Sequence, residues 1–372
     1  KRMAYSSYRI DHNPLILKEE PALMTKDVLF EENSGLGLIT LNRPGVLNAL
    51  STEMCAAIDK QLAAWEKDTT IKAVIIKAAG DKAFCAGGDV RTIVEQGHEN
   101  NLAAKYFFAT EYKMNARIFH FPKPFVALLD GIVMGGGVGV SIHGSHRIIT
   151  EKTMFAMPES AIGLIPDVGG SYFLPRLPGA LGLYLGLTGA RLRGADILYA
   201  GIGTAYMSSE KLEEFVRALS QEEISSAADV DAIVGRFAED PGTAPLDEFR
   251  DLIDASFGEN TVEDIFDHLS IIDHKWANET LAVLQKMSPI SLKVITEQLN
   301  RGTKLDFDDC MKMEYRIVCA ISSYDSDFYE GVRAVLIDKD HNPKWIPPTL
   351  DEVKPDMVMA HFDIPEGGDL EL

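Results

Sequence analysis

Phe125-Val126-Ala127-Leu128-Leu129-Asp130-Gly131-Ile132-Val133-Met134-Gly135-Gly136-Gly137-Val138-Gly139 is the stretch that sets the class of the fold. Five apolar residues read as a buried strand, a glycine-rich loop follows, and then come a short helix and another strand around Ile148. The same order occurs upstream. Ala73-Val74-Ile75-Ile76-Lys77 reads as a buried strand, and Gly80-Asp81-Lys82-Ala83-Phe84-Cys85-Ala86-Gly87-Gly88-Asp89 as a loop that leads into a helix near Val90. Repetition of strand, glycine-rich loop and helix predicts an α/β architecture.

A third stretch has a different character. Residues 155–170, FAMPESAIGLIPDVGG, place Glu159 and Asp167 in an apolar run, each directly after a proline. Proline disfavours continuous helix around it, so the run reads as turns and extended chain. Carboxylates held there in a cleft wall are expected to have raised pKa values, as acid/base or nucleophilic chemistry requires. The alternative is a surface loop with solvated acids.

The remaining elements follow from spacing. Val28-Leu29-Phe30-Glu31 and Leu36-Gly37-Leu38-Ile39-Thr40-Leu41 are strand runs joined by Asn33-Ser34-Gly35, a hairpin signal. Ser51 is an N-cap for a helix through Trp65, with Met54, Ile58, Leu62 and Trp65 on one face. A long helix covers about residues 101–119. Beyond Gly170 helices dominate, at about 181–187, 194–199, 274–286, 291–300 and 307–320. The reading divides the chain into an extension (1–26), a core (27–207), an acidic helical insertion (208–270), a C-terminal helical region (271–337) and a tail (338–372) that forms a clamp or surface strap.

Composition narrows the function. The chain has 372 residues, 46% hydrophobic and 25% charged, enough for one large domain with additions or for two. No apolar run approaches the ~20 residues of a membrane span. The net charge of −20 argues against general nucleic-acid binding. Most of it is local, since residues 208–270 carry a net −13. Four scattered cysteines fit a reducing compartment. His143 and His146 have no further ligand near them in sequence, so no metal is expected. The start, Lys1-Arg2-Met3-Ala4-Tyr5, shows no secretory signal and leaves room for a removed targeting segment.

Three loops then stand together: 84–89, 131–139 and 155–170. Glycines let a ligand approach backbone N–H groups, and two such donors converging on one point form an oxyanion hole. A carboxylate from the third loop would complete a site for reaction at a carbonyl. The glycines do not fit a dinucleotide fingerprint in register, and no lysine with Ser/Thr ends the loop as a phosphate loop requires. Close helix–strand packing is the other use of such glycines. Cys85 reads as a packed residue, because no histidine partner is indicated.

Phe84-Cys85-Ala86-Gly87-Gly88-Asp89, Met134-Gly135-Gly136-Gly137-Val138-Gly139 and Met157-Pro158-Glu159 resemble the enoyl-coenzyme A hydratase/isomerase (crotonase) superfamily. Residues 158–170, Met313-Glu314-Tyr315-Arg316 and residues 331–340 resemble its 3-hydroxyisobutyryl-coenzyme A hydrolase branch. The resemblance implies a β-β-α spiral core with a helical C-terminal region, and hydrolysis of the coenzyme A thioester in valine breakdown in the mitochondrial matrix. Coenzyme A enters as part of the substrate, with no separate cofactor. Gly88 and Gly136 would form the oxyanion hole. Glu159 would be the catalytic carboxylate that attacks the thioester or activates water, Asp167 would bind the substrate's 3-hydroxyl or assist proton transfer, and Glu111 would contact substrate, unless it is merely a solvated helix residue. Ala86, Asn48 and Lys339 are candidates for the coenzyme A path. Gly139 stands where the superfamily's hydratases carry a second glutamate, which disfavours a hydratase or isomerase. Relatives of the branch also serve as structural components of the mitochondrial ribosome small subunit, a rival reading and the one setting in which nucleic acid would be a neighbour. The superfamily often forms trimers, whereas this C-terminal region has the length to fold back on its own core.

Overall fold

The computed structural model describes residues 25–96, 102–323 and 326–372; nearly all of the expected N-terminal extension lies outside the described residues. The described chain opens on a hairpin of β1 (Val28–Asn33) and β2 (Leu36–Leu41). Its two turn residues, Ser34 and Gly35, both have positive φ, the backbone that matches the twist of paired strands. α1 (Thr52–Lys67) starts at Ser51, whose hydroxyl accepts from the Met54 N–H at 3.3 Å. It buries Met54, Ile58, Leu62 and Trp65, the face its spacing predicts.

A repeated unit follows. β3 (Ala73–Ala78) and β4 (Ala83–Cys85) lead to α2 (Val90–Gln96) and α3 (Leu102–Phe119). β5 (Phe125–Leu129) and β6 (Ile132–Met134) lead to α4 (Gly136–Gly139). β7 (His146–Ile149) and β8 (Met154–Ala156) lead to a 3-10 turn at Glu159–Ile162. The chain then runs through α5 (Gly170–Phe173), α6 (Leu181–Thr188), β9 (Leu192–Arg193), α7 (Ala195–Tyr199) and β10 (Ala205–Tyr206). The first strand of each unit joins a six-stranded sheet, β1-β2-β3-β5-β7-β10, and the second joins a four-stranded sheet, β4-β6-β8-β9. Pairing is parallel except at β1–β2 and β8–β9. Because β4, β6 and β8 are neighbours in one parallel sheet, the loops that leave them emerge side by side. Those are the three loops singled out in the sequence. This is the β-β-α spiral that the resemblance implies.

The helices cover this core on two sides. α8 (Leu212–Gln221) and α9 (Ala227–Phe237) bury Phe215, Leu219 and Ile233 against Leu38, Ile75, Val126 and Ile148 on one face of the large sheet. α10 (Arg250–Phe257), α12 (Lys275–Leu284) and α13 (Pro289–Gly302) gather around α6, with α11 (Val262–Ile271) packed on those three, and extend the main core. The acidic stretch 208–270 is thus helical but serves two different surfaces. α14 (Phe307–Ile321) lies along α3, and α15 (Asp327–Val332) packs on the turn at Glu159–Ile162. That contact is close: a Cβ at Gly163 would strike the Asp327 backbone, and one at Gly331 the Ile162 backbone. The tail adds α16 (Pro355–Met359) and straps the helices through an Arg316–Asp369 ion pair and the stacking of Arg301 on Phe362 at 4.0 Å. The C-terminal region therefore folds onto its own core.

Candidate active site

The loop after β4 is pinned to residue 50. The Leu50 N–H donates to the Gly87 carbonyl and the Asp89 N–H to the Leu50 carbonyl, both at 2.9 Å. Gly88 sits between these bonds, and its own N–H has no acceptor among the described residues. Gly136 opens α4, where first-turn amides have no partner within the helix, and its N–H is likewise free. The two loops touch. A Cβ at Gly136 would lie 3.1 Å from the Gly88 nitrogen and 2.5 Å from Glu111 Oε1, so only glycine fits. Two unpaired backbone donors thus lie close together beside a carboxylate.

The carboxylates come from separate elements. Glu159 begins the 3-10 turn after Pro158 and is 5% exposed. Its Oε1 lies 3.2 Å from where a Gly135 Cβ would stand, and its Oε2 is buried without a partner. Burial, and then the charge of Asp167, raises its pKa well above the ordinary carboxylate range. Asp167 accepts from the Tyr112 hydroxyl at 2.7 Å; burial pushes its pKa up to about 6, and the Tyr112 bond restrains that rise. Glu111 lies on α3 and is 2% exposed, so the solvated-helix reading of this residue is corrected. Its Oε1 is also buried and unpartnered, and burial with the Asp167 and Glu159 charges raises its pKa. Three acids here share low dielectric, and the Asp167 charge raises the other two, a setting typical of groups that transfer protons or acyl groups.

Sequence reasoning missed the residues that hold this constellation. Tyr112 follows Glu111 and packs inward as a core aromatic, and only its hydroxyl contact gives it away. Glu314, on α14, accepts from the Gly169 N–H at 2.8 Å, the Ser171 N–H at 2.9 Å and the Ser171 hydroxyl. Gln298 donates to the Pro166 carbonyl at 2.8 Å, and His143 Nε2 lies 2.7 Å from the Val168 carbonyl. His146 faces elsewhere, to Asp231 at 3.1 Å. The Cys85 thiol is buried and pushed up to about 12, a packed side chain as expected.

The coenzyme A candidates divide. Both donors of the Asn48 side chain are taken: Nδ2 donates to the Ala79 and Ala83 carbonyls at 2.9 Å, while Oδ1 accepts from the Arg43 N–H at 2.8 Å. Asn48 ties its loop to both ends of the β3–β4 connection and offers no side-chain donor to a ligand. Ala86 is half-buried, with its N–H on the Leu47 carbonyl at 3.0 Å. Lys339 is exposed, with positive φ, beyond α15.

Comparison with known proteins agrees with this geometry. A family model described as enoyl-CoA hydratase/isomerase matches residues 36–362. The mitochondrial 3-hydroxyisobutyryl-CoA hydrolase of Danio rerio is 46% identical over 353 residues, covering 93% of this chain and 92% of its own. The Homo sapiens protein of the same name is 47% identical over 352 residues, covering 93% and 91%. A crystal structure described as a carnitinyl-CoA dehydratase from Mycobacterium thermoresistibile has a TM-score of 0.86 at 43% identity, over 92% of this chain and 98% of its own. Sequence, spiral topology and matched length lead to one conclusion: the chain belongs to the enoyl-CoA hydratase/isomerase (crotonase) superfamily, in the branch of the 3-hydroxyisobutyryl-CoA hydrolases.

Proposed function

We propose that the protein is a thioesterase that hydrolyses 3-hydroxyisobutyryl-CoA to 3-hydroxyisobutyrate and coenzyme A, a step of valine catabolism in the mitochondrial matrix. Relatives of that name, at 46% and 47% identity, support substrate and compartment. The observation that carries the chemistry is the unpartnered Glu159 oxygen, buried beside the glycine loops that present the free Gly88 and Gly136 amides.

The thioester carbonyl oxygen accepts from these two N–H groups. They stabilise the charge that develops as the carbon becomes tetrahedral, and one such donor is worth about 10²–10³ in turnover. Glu159 supplies the oxygen directly or takes the proton of the water that does. Either route cleaves the carbon–sulfur bond, consumes one water and releases an acid and a thiol. Asp167, held by Tyr112, and Glu111 lie at the acyl end, where a 3-hydroxyl can donate to a carboxylate.

A hydratase reading meets a steric obstacle. A Cβ at Gly139 would lie 2.7 Å from Val168 Cβ and 2.8 Å from Asn115 Nδ2. The position at which the superfamily's hydratases carry their second glutamate is therefore closed by neighbouring side chains. The test is thiol release from 3-hydroxyisobutyryl-, acetyl- and crotonyl-CoA by wild type and Glu159→Gln. Release confined to the hydroxyacyl thioester and lost in the variant is expected. No release from any thioester by folded wild type would refute the enzyme and favour the rival structural reading.

A further inference from the structure

Asp167 stands on a turn whose backbone is out of the ordinary. Val168 has φ +52, a conformation that β-branched residues rarely adopt, and Gly169 follows at φ +89. Such a turn persists only where its surroundings over-determine it. Four backbone groups of the turn and the Ser171 hydroxyl are met by side chains from elsewhere, while the Asp167 and Gly169 carbonyls accept from backbone amides nearby. Gln298 of α13 holds the Pro166 carbonyl, and His143 meets the Val168 carbonyl. Glu314 of α14 takes the Gly169 N–H on one oxygen, and the Ser171 N–H and hydroxyl on the other.

Glu314 is the costly member of this set. It is fully buried, and its partners among the described residues are these three donors, none of them a cation. An acid in such a place, its pKa pushed up to about 8 by burial although its three donors pull it back, is not explained by packing, because an apolar residue of similar size would fill the volume without burying polar oxygens. Two acceptor oxygens in one plane do what an apolar residue cannot: they grip two amides two residues apart and fix the turn's pitch. The same helix braces the other side of the acid. α14 lies along α3, and α3 carries Tyr112, whose hydroxyl holds the Asp167 side chain at 2.7 Å.

We propose that Glu314 is a positioning residue for the hydroxyacyl end of the site: by gripping the Gly169 and Ser171 amides it keeps Val168 in its left-handed conformation and aims Asp167 at the substrate's 3-hydroxyl. α14 thereby sets the discrimination between hydroxyacyl and plain acyl thioesters. The inference rests on the thioesterase reading for its substrate and on the turn's geometry for the rest.

The experiment compares wild type, Glu314→Gln, Asp167→Asn and the double variant on 3-hydroxyisobutyryl-CoA and isobutyryl-CoA, which lacks the hydroxyl. Hydrogen exchange of the peptide spanning residues 166–173 is followed in parallel. Glu314→Gln retains one acceptor oxygen and is expected to lower kcat/KM for the hydroxyacyl substrate about 10–100-fold, the cost of a misplaced contact. Isobutyryl-CoA turnover should fall far less, and the double variant should be no worse on the hydroxyacyl substrate than Asp167→Asn alone. Exchange should quicken in this peptide and not across the sheet. Equal losses on both substrates, or additive losses in the double variant, would overturn the proposal. If Glu314→Gln does not fold, Ser171→Ala removes only the hydroxyl donor, and unchanged discrimination in that variant would overturn it. Should wild type release thiol from neither substrate, the thioesterase reading fails separately. Exchange then decides whether Glu314 holds the turn, and an unchanged rate counts against it.

Discussion

Replacing Asp167 by asparagine should make the protein more stable at neutral pH while impairing its chemistry. Asp167 is 4% exposed, and burial raises its pKa from the usual 3.8 to about 6. The folded state thus binds the proton more tightly than the unfolded chain. Its stability relative to an uncharged side chain is intact below pH 3.8 and is lost as pH rises through about 6. At 1.36 kcal/mol per pKa unit, the ionised group costs roughly 3 kcal/mol at pH 7.5 and about 1 kcal/mol at pH 4.5. Asparagine keeps an oxygen for the Tyr112 hydroxyl and removes the charge. It also relieves Glu111 and Glu159, both of which the Asp167 charge pushes upward. Urea unfolding of wild type and Asp167→Asn at the two pH values measures the difference. The variant should gain stability at pH 7.5 and only a fraction of that at pH 4.5, while its hydroxyacyl thioesterase rate falls. A gain of equal size at both pH values, or a loss at pH 7.5, would refute the reasoning, because the penalty would then not come from ionisation in low dielectric.

Three further outcomes are expected. Gly136→Ala should cut thiol release by at least about 10²-fold, because its methyl group would press on Glu111 Oε1 and the Gly88 amide; steady-state kinetics on the folded variant check this. The kcat/KM for hydrolysis should climb with pH through a midpoint above the ordinary carboxylate range, since Glu159 must lose a proton that burial makes it hold; a pH–rate profile reads that midpoint directly. Asn48→Ala leaves two carbonyls and an amide of the loop without their partner, and should destabilise the protein by about 2–4 kcal/mol in urea unfolding.

The sequence was most informative where period or backbone chemistry leaves a mark. The face of α1 from Met54 to Trp65, the hairpin at Ser34-Gly35 and the buried strands β3 and β5 follow from side-chain spacing and turn residues, and all are present. β4, β6 and β8 escaped notice because three residues carry no period, so they read as parts of loops. They nevertheless form the second sheet and set the loops side by side. Glu159 and Asp167 were legible from their apolar, proline-marked surroundings. Glu111 was ambiguous, since a single glutamate on a helix looks the same whether it meets water or a core. Tyr112 and Gln298 carried no local signal, and Glu314 was marked only as part of the Met313–Arg316 motif, without a role: each acts on a turn 55 to 145 residues away in the chain, and such pairings are set by how helices pack.

The separation between Glu314 and the turn it grips bears on how the protein is made. Gly169 and its acceptor are 145 residues apart, so a nascent chain exposes the whole β-β-α spiral to water well before α14 leaves the ribosome. During that interval the Gly169 and Ser171 amides have no carboxylate to meet, and the flank of α3 that α14 covers, as distinct from the one against α1, has no helix along it. On the role proposed for Glu314, selectivity for the hydroxyacyl end is therefore acquired only after α14 has emerged. A transcript cut short before Phe307 yields the two glycine loops and Glu159 without the helix that braces them. Such a product carries the residues of a thioesterase and an uncovered apolar flank, which makes it a substrate for proteases and chaperones.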